Sequence, residues 1–249
     1  LETLDLYLHQ PREVILSDGT EVSVQVENIK HKYDSCRKAV RGTEVKIRIN
    51  NHYTVLDSGM YNLPRKVAGI QVDCPVTSAL VHNRDGVLFN PWALDKAVRL
   101  RLWPGDSPWI DPETFKYPVE AAWFSSDTQM TNDPTYVDHG DLPGNPESGI
   151  YYHHGLDVVG SEGQNEVYSA VDGLVLSSAD LTLSDYRKNT PVRPRYDVIY
   201  LLDERGWIYR NSHLYSIDPG VKTGRRVKKG QFLGLLGKEG ASGGWSHFH

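Results

Sequence analysis

Five of the ten histidines fall after residue 150, in three short motifs. These are His153-His154-Gly155-Leu156-Asp157, Ser212-His213-Leu214 and Ser246-His247-Phe248-His249. Imidazole nitrogen and carboxylate oxygen are zinc-type ligands, and three such ligands with one open position make a catalytic metal site. A fully extended strand would hold His153 and Asp157 about 13 Å apart, too far to share an ion, so the chain must bend between them. Gly155 supplies the backbone freedom for a bulge or turn at that point. His247 and His249, two residues apart, fall on one face of a strand at about 6.6 Å, so one can bind a metal while the other stands beside its water. Each motif has a plainer reading: an ion pair at a loop end, a hydrogen-bonded structural histidine, a fortuitous terminus. Their occurrence together favours a shared site. His9, His31, His52, His82 and His139 stand alone and read as ordinary surface residues.

The elements that must position these motifs are strands. Val22, Val24 and Val26, then Val45, Ile47 and Ile49, then Val98, Leu100 and Leu102 alternate with polar residues, the pattern of half-buried strands. Asp18-Gly19 and Asp85-Gly86 are turn signals. No amphipathic helix longer than two or three turns is evident. Four prolines between Trp103 and Pro118 interrupt the alternation and mark a boundary. The aperiodic stretch from Asn132 to Gly149 reads as a long surface loop of the type that borders a site. From Ile150 onward, short apolar runs separated by glycine predict compact antiparallel β structure. Glu204-Arg205-Gly206 would form a hairpin loop, and Leu181 to Arg195 a bulging insert. The expected fold is therefore mostly β: an N-terminal β-sandwich-like module over residues 1–112, then a second β domain over residues 113–249.

Composition narrows the function classes. The chain has 249 residues, 39% hydrophobic and 24% charged, enough for two modest cores and too apolar for wholesale disorder. A formal net charge of −5, with no Lys/Arg tract, argues against nucleic acid as a partner. No apolar run approaches the roughly 18 residues of a membrane span. The two cysteines, Cys36 and Cys74, leave one disulfide and two reduced thiols equally open. The chain begins at Leu1, as expected if a targeting segment has been removed.

These residues resemble the lysostaphin-type, or LytM-type, zinc endopeptidases, which cut peptide cross-links of bacterial cell walls. The resemblance covers about residues 114–249. It is carried by HHGLDVVGSEGQNEVYSAVDGLVL, similar to the family's H-x-G-x-D segment; by NSHL, similar to its tyrosine-x-histidine-leucine region; and by VKTGRRVKKGQFLGLLG followed by SHFH. The glycine-rich portion alone also occurs in lipoyl-like barrels, but no swinging-lysine turn accompanies it here.

The resemblance implies a LytM-type antiparallel β-sheet peptidase domain in which His153, Asp157 and His249 ligate Zn2+ and His213 and His247 are the catalytic pair. Two neutral imidazoles suit proton exchange with a zinc-activated water near pH 7; which of them takes the proton stays open. His154 makes the ligand register ambiguous by one residue, and the H-x-x-x-D spacing selects His153. The family's glycine-x-arginine stretch is replaced by WFSSDTQMTNDPTY. Asn132 or His139 could approach the metal in a latent form, and Tyr151 or Tyr152 could offer a phenol to an oxyanion, although surface loop and aromatic packing are the commoner fates. The family continues past its H-x-H pair, so more chain is expected after His249.

The implied function is hydrolysis of peptide bonds in peptidoglycan or a related extracytoplasmic peptide, with a periplasmic, cell-surface or secreted location. A non-catalytic LytM-like module that binds or activates other wall hydrolases is the first alternative. It is disfavoured because all five site positions are filled. The second is metal-and-histidine-dependent polysaccharide cleavage on the same fold, since a fold does not fix a substrate.

Overall fold

The computed structural model describes residues 1–59, 62–84, 87–120, 128–130, 136–138, 150–184, 186 and 192–249. The protein is mostly β with antiparallel sheets. Among the described residues the helical elements are two single 3-10 turns, Ser78–Leu80 and Pro112–Thr114. None is long and apolar enough to cross a membrane. The chain divides into two compact units. One comprises residues 1–109, 131–154 and 189–191; the other comprises 110–130, 155–188 and 192–249.

The first unit is a β-sandwich. Arg12–Ile15, Glu21–Tyr33, Val40–Ile49 and His52–Asp57 form one four-stranded sheet in sequence order. Glu2–Leu6, Val98–Pro104, Ile70–Thr77 and Arg65–Val67 form the other. The alternating valines and isoleucines do what their period requires. Val24 pairs with Ile49 and Val26 with Ile47, and all four join Leu4, Leu6, Val72, Val98, Leu100 and Leu102 in one buried cluster. Each such side chain contributes about 1.5–3 kcal/mol on burial. The Asp18-Gly19 turn forms as expected: the Asp18 carboxylate accepts the Thr20 N–H at 3.0 Å, and Gly19 takes φ +86°. Asp85 and Gly86 lie outside the described residues.

Two expectations for this unit change. Val98–Pro104 is covered on both faces rather than half-buried. The cause is a pair of ion pairs on its polar face: Arg99 chelates Asp5 at 2.6 and 2.7 Å, and Arg101 chelates Asp73 at 2.8 and 2.5 Å. Both partners sit directly across the ladder. Within the expected loop from Asn132 to Gly149, Tyr136–Asp138 is a strand paired with Ile150–Tyr152. Three residues are too short to show a period. The rest of that stretch lies outside the described residues, among it Asn132 and His139. Both cysteines are free thiols. Burial pushes Cys74 up to about 12, and Cys36 is exposed.

The second unit is built from short strands. Glu166–Tyr168, Phe232–Leu236 and Leu214–Ile217 form one sheet. Leu181–Thr182, Gly173–Ser178, Ile199–Leu202 and Ile208–Asn211 form another, with Arg226–Val227 also on Gly173–Ser178. Their inward residues make a core that includes Val175, Ile199, Leu201, Leu214, Leu233 and Phe248. The hairpin at Glu204-Arg205-Gly206 closes with the Asp203 carboxylate accepting the Trp207 N–H at 2.8 Å. Of the insert expected to bulge after Leu181, its first two residues pair back onto Ser177 and Ser178. Residues 185 and 187–191 lie outside the described set.

Candidate metal centre

Backbone pairing gathers the three histidine motifs. Strand Leu156–Val159 lies between Thr128–Met130 and His247–Phe248, with Val158 opposite Phe248 and Val159 opposite His247. That register places Asp157 beside the terminal H-x-H. Ser212 and His249 then exchange backbone bonds, N–H to carbonyl at 2.9 Å and 3.4 Å, and the Ser212 hydroxyl donates to the same His249 carbonyl at 3.0 Å. His213 is thereby drawn to the same place.

The donor atoms of His213, His247 and His249, all in the second unit, lie within 4.8 Å of one another. An extended chain would separate His153 from Asp157 by about 13 Å. The bend is at Gly155, with φ +113°, where a Cβ would stand 2.7 Å from His249 Nε2. Only glycine leaves room for that ring. Asp157 is buried, its Oδ1 2.8 Å from His249 Nδ1 and 3.6 Å from His247 Nε2.

The tautomers of the other two rings follow from their partners. His213 Nδ1 lies 2.6 Å from the Glu239 carbonyl and His247 Nδ1 3.0 Å from the Trp245 carbonyl. A carbonyl only accepts, so each Nδ1 carries hydrogen, and in the neutral ring the lone pair is on Nε2. The two rings stand 4.6 Å apart between centroids. His213 is pushed down to about 3, chiefly by burial, and further by the neighbouring His247, His249 and Arg195; the Glu239 carbonyl opposes this. Its ring is neutral at physiological pH.

The remaining candidates have other occupations. His154 packs edge-on against Trp92, centroids 5.6 Å apart. The Tyr152 hydroxyl accepts the Val40 N–H at 2.6 Å, and its ring is buried with Val40, Val76, Leu80 and Leu94. The side chain of Tyr151 lies outside the described residues. Sequence reasoning missed Trp245, whose indole stacks on His247 at 3.9 Å and 19°. It also missed Asp197, whose carboxylate accepts the His213 N–H at 3.0 Å. No motif flags either one; an aromatic two residues before an H-x-H was the available hint for Trp245.

Residues 151–249 match the model of peptidase family M23, so the LytM-type resemblance read from the motifs holds over that segment. No curated protein matches the chain. Among solved structures, Helicobacter pylori Csd3 in its orthorhombic crystal aligns at 14% identity and TM-score 0.35, over 96% of this chain and 70% of that one. Csd3 in its hexagonal crystal aligns at 13% identity and TM-score 0.33, over 92% and 70%. Those likenesses are too loose to bear on the site.

Proposed function

We propose that the protein is a zinc-dependent endopeptidase that hydrolyses peptide bonds of peptidoglycan or a closely related extracytoplasmic peptide. The observation that supports this best is the donor set of His213, His247 and His249, with the Asp157 carboxylate 2.8 Å from His249 Nδ1. With His153, which the H-x-x-x-D motif adds to Asp157 and His249, two nitrogens and one oxygen would suit Zn2+ and leave a position for water or substrate. The cradle at Gly155, open only because no Cβ fills it, fits the same assignment.

When bound, the cation supplies a Lewis acid that polarises the scissile carbonyl and makes water more acidic. The chain does the rest. In this reading His213 Nε2 or His247 Nε2 takes the proton that water loses as it adds to the carbonyl carbon. The same proton returns to the amine as the C–N bond breaks. The carbonyls of Glu239 and Trp245 keep both rings in the tautomer this requires. A β-sandwich module over residues 1–112 ahead of a peptidase domain over 113–249, and an extracytoplasmic location, complete the proposal.

The test is cleavage of purified peptidoglycan by zinc-loaded protein, read as new amino groups and as product masses. Zinc-dependent release of free amines is the expected result. Unsaturated sugar ends would point to polysaccharide cleavage, and no product from several wall types, with no zinc retained, would point to a non-catalytic module.

A further inference from the structure

His213 has φ +65°, in the left-handed region that a residue with a Cβ seldom occupies. Something must hold it there. The strap Arg195-Tyr196-Asp197 makes the contacts that can. The Asp197 carboxylate accepts the His213 N–H at 3.0 Å, and the Asp197 carbonyl accepts the next N–H, that of Leu214, at 3.2 Å. Two consecutive amides of the kink therefore end on one residue. Asp197 is buried, with 0% of its side chain exposed. Its charge is answered by Arg195, which grips both carboxylate oxygens through Nε and Nη2.

The same strap supports the other side of the ring. The Tyr196 hydroxyl accepts the Gly240 N–H at 3.0 Å and donates to the Glu239 carboxylate at 3.2 Å. This fixes the residue whose carbonyl receives His213 Nδ1–H. The Arg195 guanidinium fills the space over Gly240, where a Cβ would meet it at 2.6 Å. Arg195 Nη2 also lies 3.4 Å from His213 Nδ1. Since that nitrogen gives its hydrogen to Glu239, the guanidinium acts there as a neighbouring charge and not as a donor.

We propose that Asp197 is a positioning residue for His213: clamped by Arg195, it sets the backbone kink that aims His213 Nε2 into the donor cluster. The proposal deepens the peptidase reading and rests on it for His213's role, but the placement of the ring can be read separately.

The experiment uses the zinc-loaded chain with 15N-labelled histidine and compares wild type with Asp197→Ala, Asp197→Asn and Arg195→Met. His213→Ala assigns the ring signal. In wild type, His213 Nδ1–H should give a slowly exchanging low-field proton. Asp197→Ala should lose it and retain zinc, and kcat on wall peptide should fall about 100-fold while KM moves less than about threefold, as for loss of a proton carrier. Asp197→Asn keeps an oxygen for the His213 N–H and should restore the signal and most of kcat. If Asp197→Ala does not fold, Arg195→Met decides, because its side chain is partly exposed and the carboxylate stays; it should weaken the signal and lower kcat about tenfold. An unchanged His213 signal and kcat in the variants that fold would overturn the proposal. If wild type cleaves no wall peptide, the peptidase reading fails and the ring proton still decides the positioning.

Discussion

Trp245 and His247 are joined twice: the indole stacks on the imidazole at 3.9 Å, and the Trp245 carbonyl accepts the imidazole Nδ1–H. The second contact survives any side-chain change and the first does not. Trp245→Ala should therefore keep the His247 tautomer and the bound zinc but loosen the ring. Stacking of this kind is worth about 0.5–1.5 kcal/mol, so turnover should fall about tenfold. Trp245→Phe should recover most of it. Steady-state kinetics alongside metal analysis checks both.

Gly155 is the position least tolerant of a side chain. Alanine there would place its Cβ 2.7 Å from His249 Nε2, on a backbone already at φ +113°. Gly155→Ala should displace His249 and lower zinc content well below that of wild type, while the β-sheet circular dichroism stays. Zinc titration of the apo protein measures the loss.

In the sandwich, Arg99 and Asp5 are both buried and paired to each other. Removing one partner leaves a buried charge, which costs about 3–5 kcal/mol. Arg99→Ala should lower the unfolding free energy obtained from urea denaturation by that amount, and replacing Arg99 and Asp5 together by methionine and leucine should cost much less. Double-mutant denaturation curves give the comparison.

Asp203 is raised above its usual value, mainly by burial, with the bonds from Trp207 and Arg205 opposing. The folded chain therefore holds that proton at pH values where the unfolded chain has released it. Stability from this group is greatest below pH 3.8 and is lost as pH rises through the folded value. Asp203→Asn keeps an acceptor for the Trp207 N–H and removes the charge. Its melting temperature should exceed that of wild type at pH 7, and the difference should vanish at acid pH.

The sequence showed the strands of the sandwich core, because valines and isoleucines at period two leave few alternatives for Glu21–Tyr33 and Val40–Ile49. It did not show whether a polar face would be covered. Arg99 and Arg101 look solvent-facing by alternation, and are buried because Asp5 and Asp73 arrive opposite them from distant segments. At the site, the motif histidines and Asp157 were visible as residue types at suggestive spacings. Asp197 was not, because its role lies in bonds to His213 N–H and Leu214 N–H across a turn of chain that carries no pattern. Ligand chemistry is written in residue type, whereas support is written in backbone geometry.

The central claim is that one zinc ion is held by His153, Asp157 and His249 and used by His213. Metal analysis and peptidoglycan cleavage on wild type, Asp157→Ala and His213→Ala test it together. About one zinc per chain with turnover is predicted for wild type, neither for Asp157→Ala, and zinc without turnover for His213→Ala. Full zinc content in Asp157→Ala, or full turnover in His213→Ala, would contradict it.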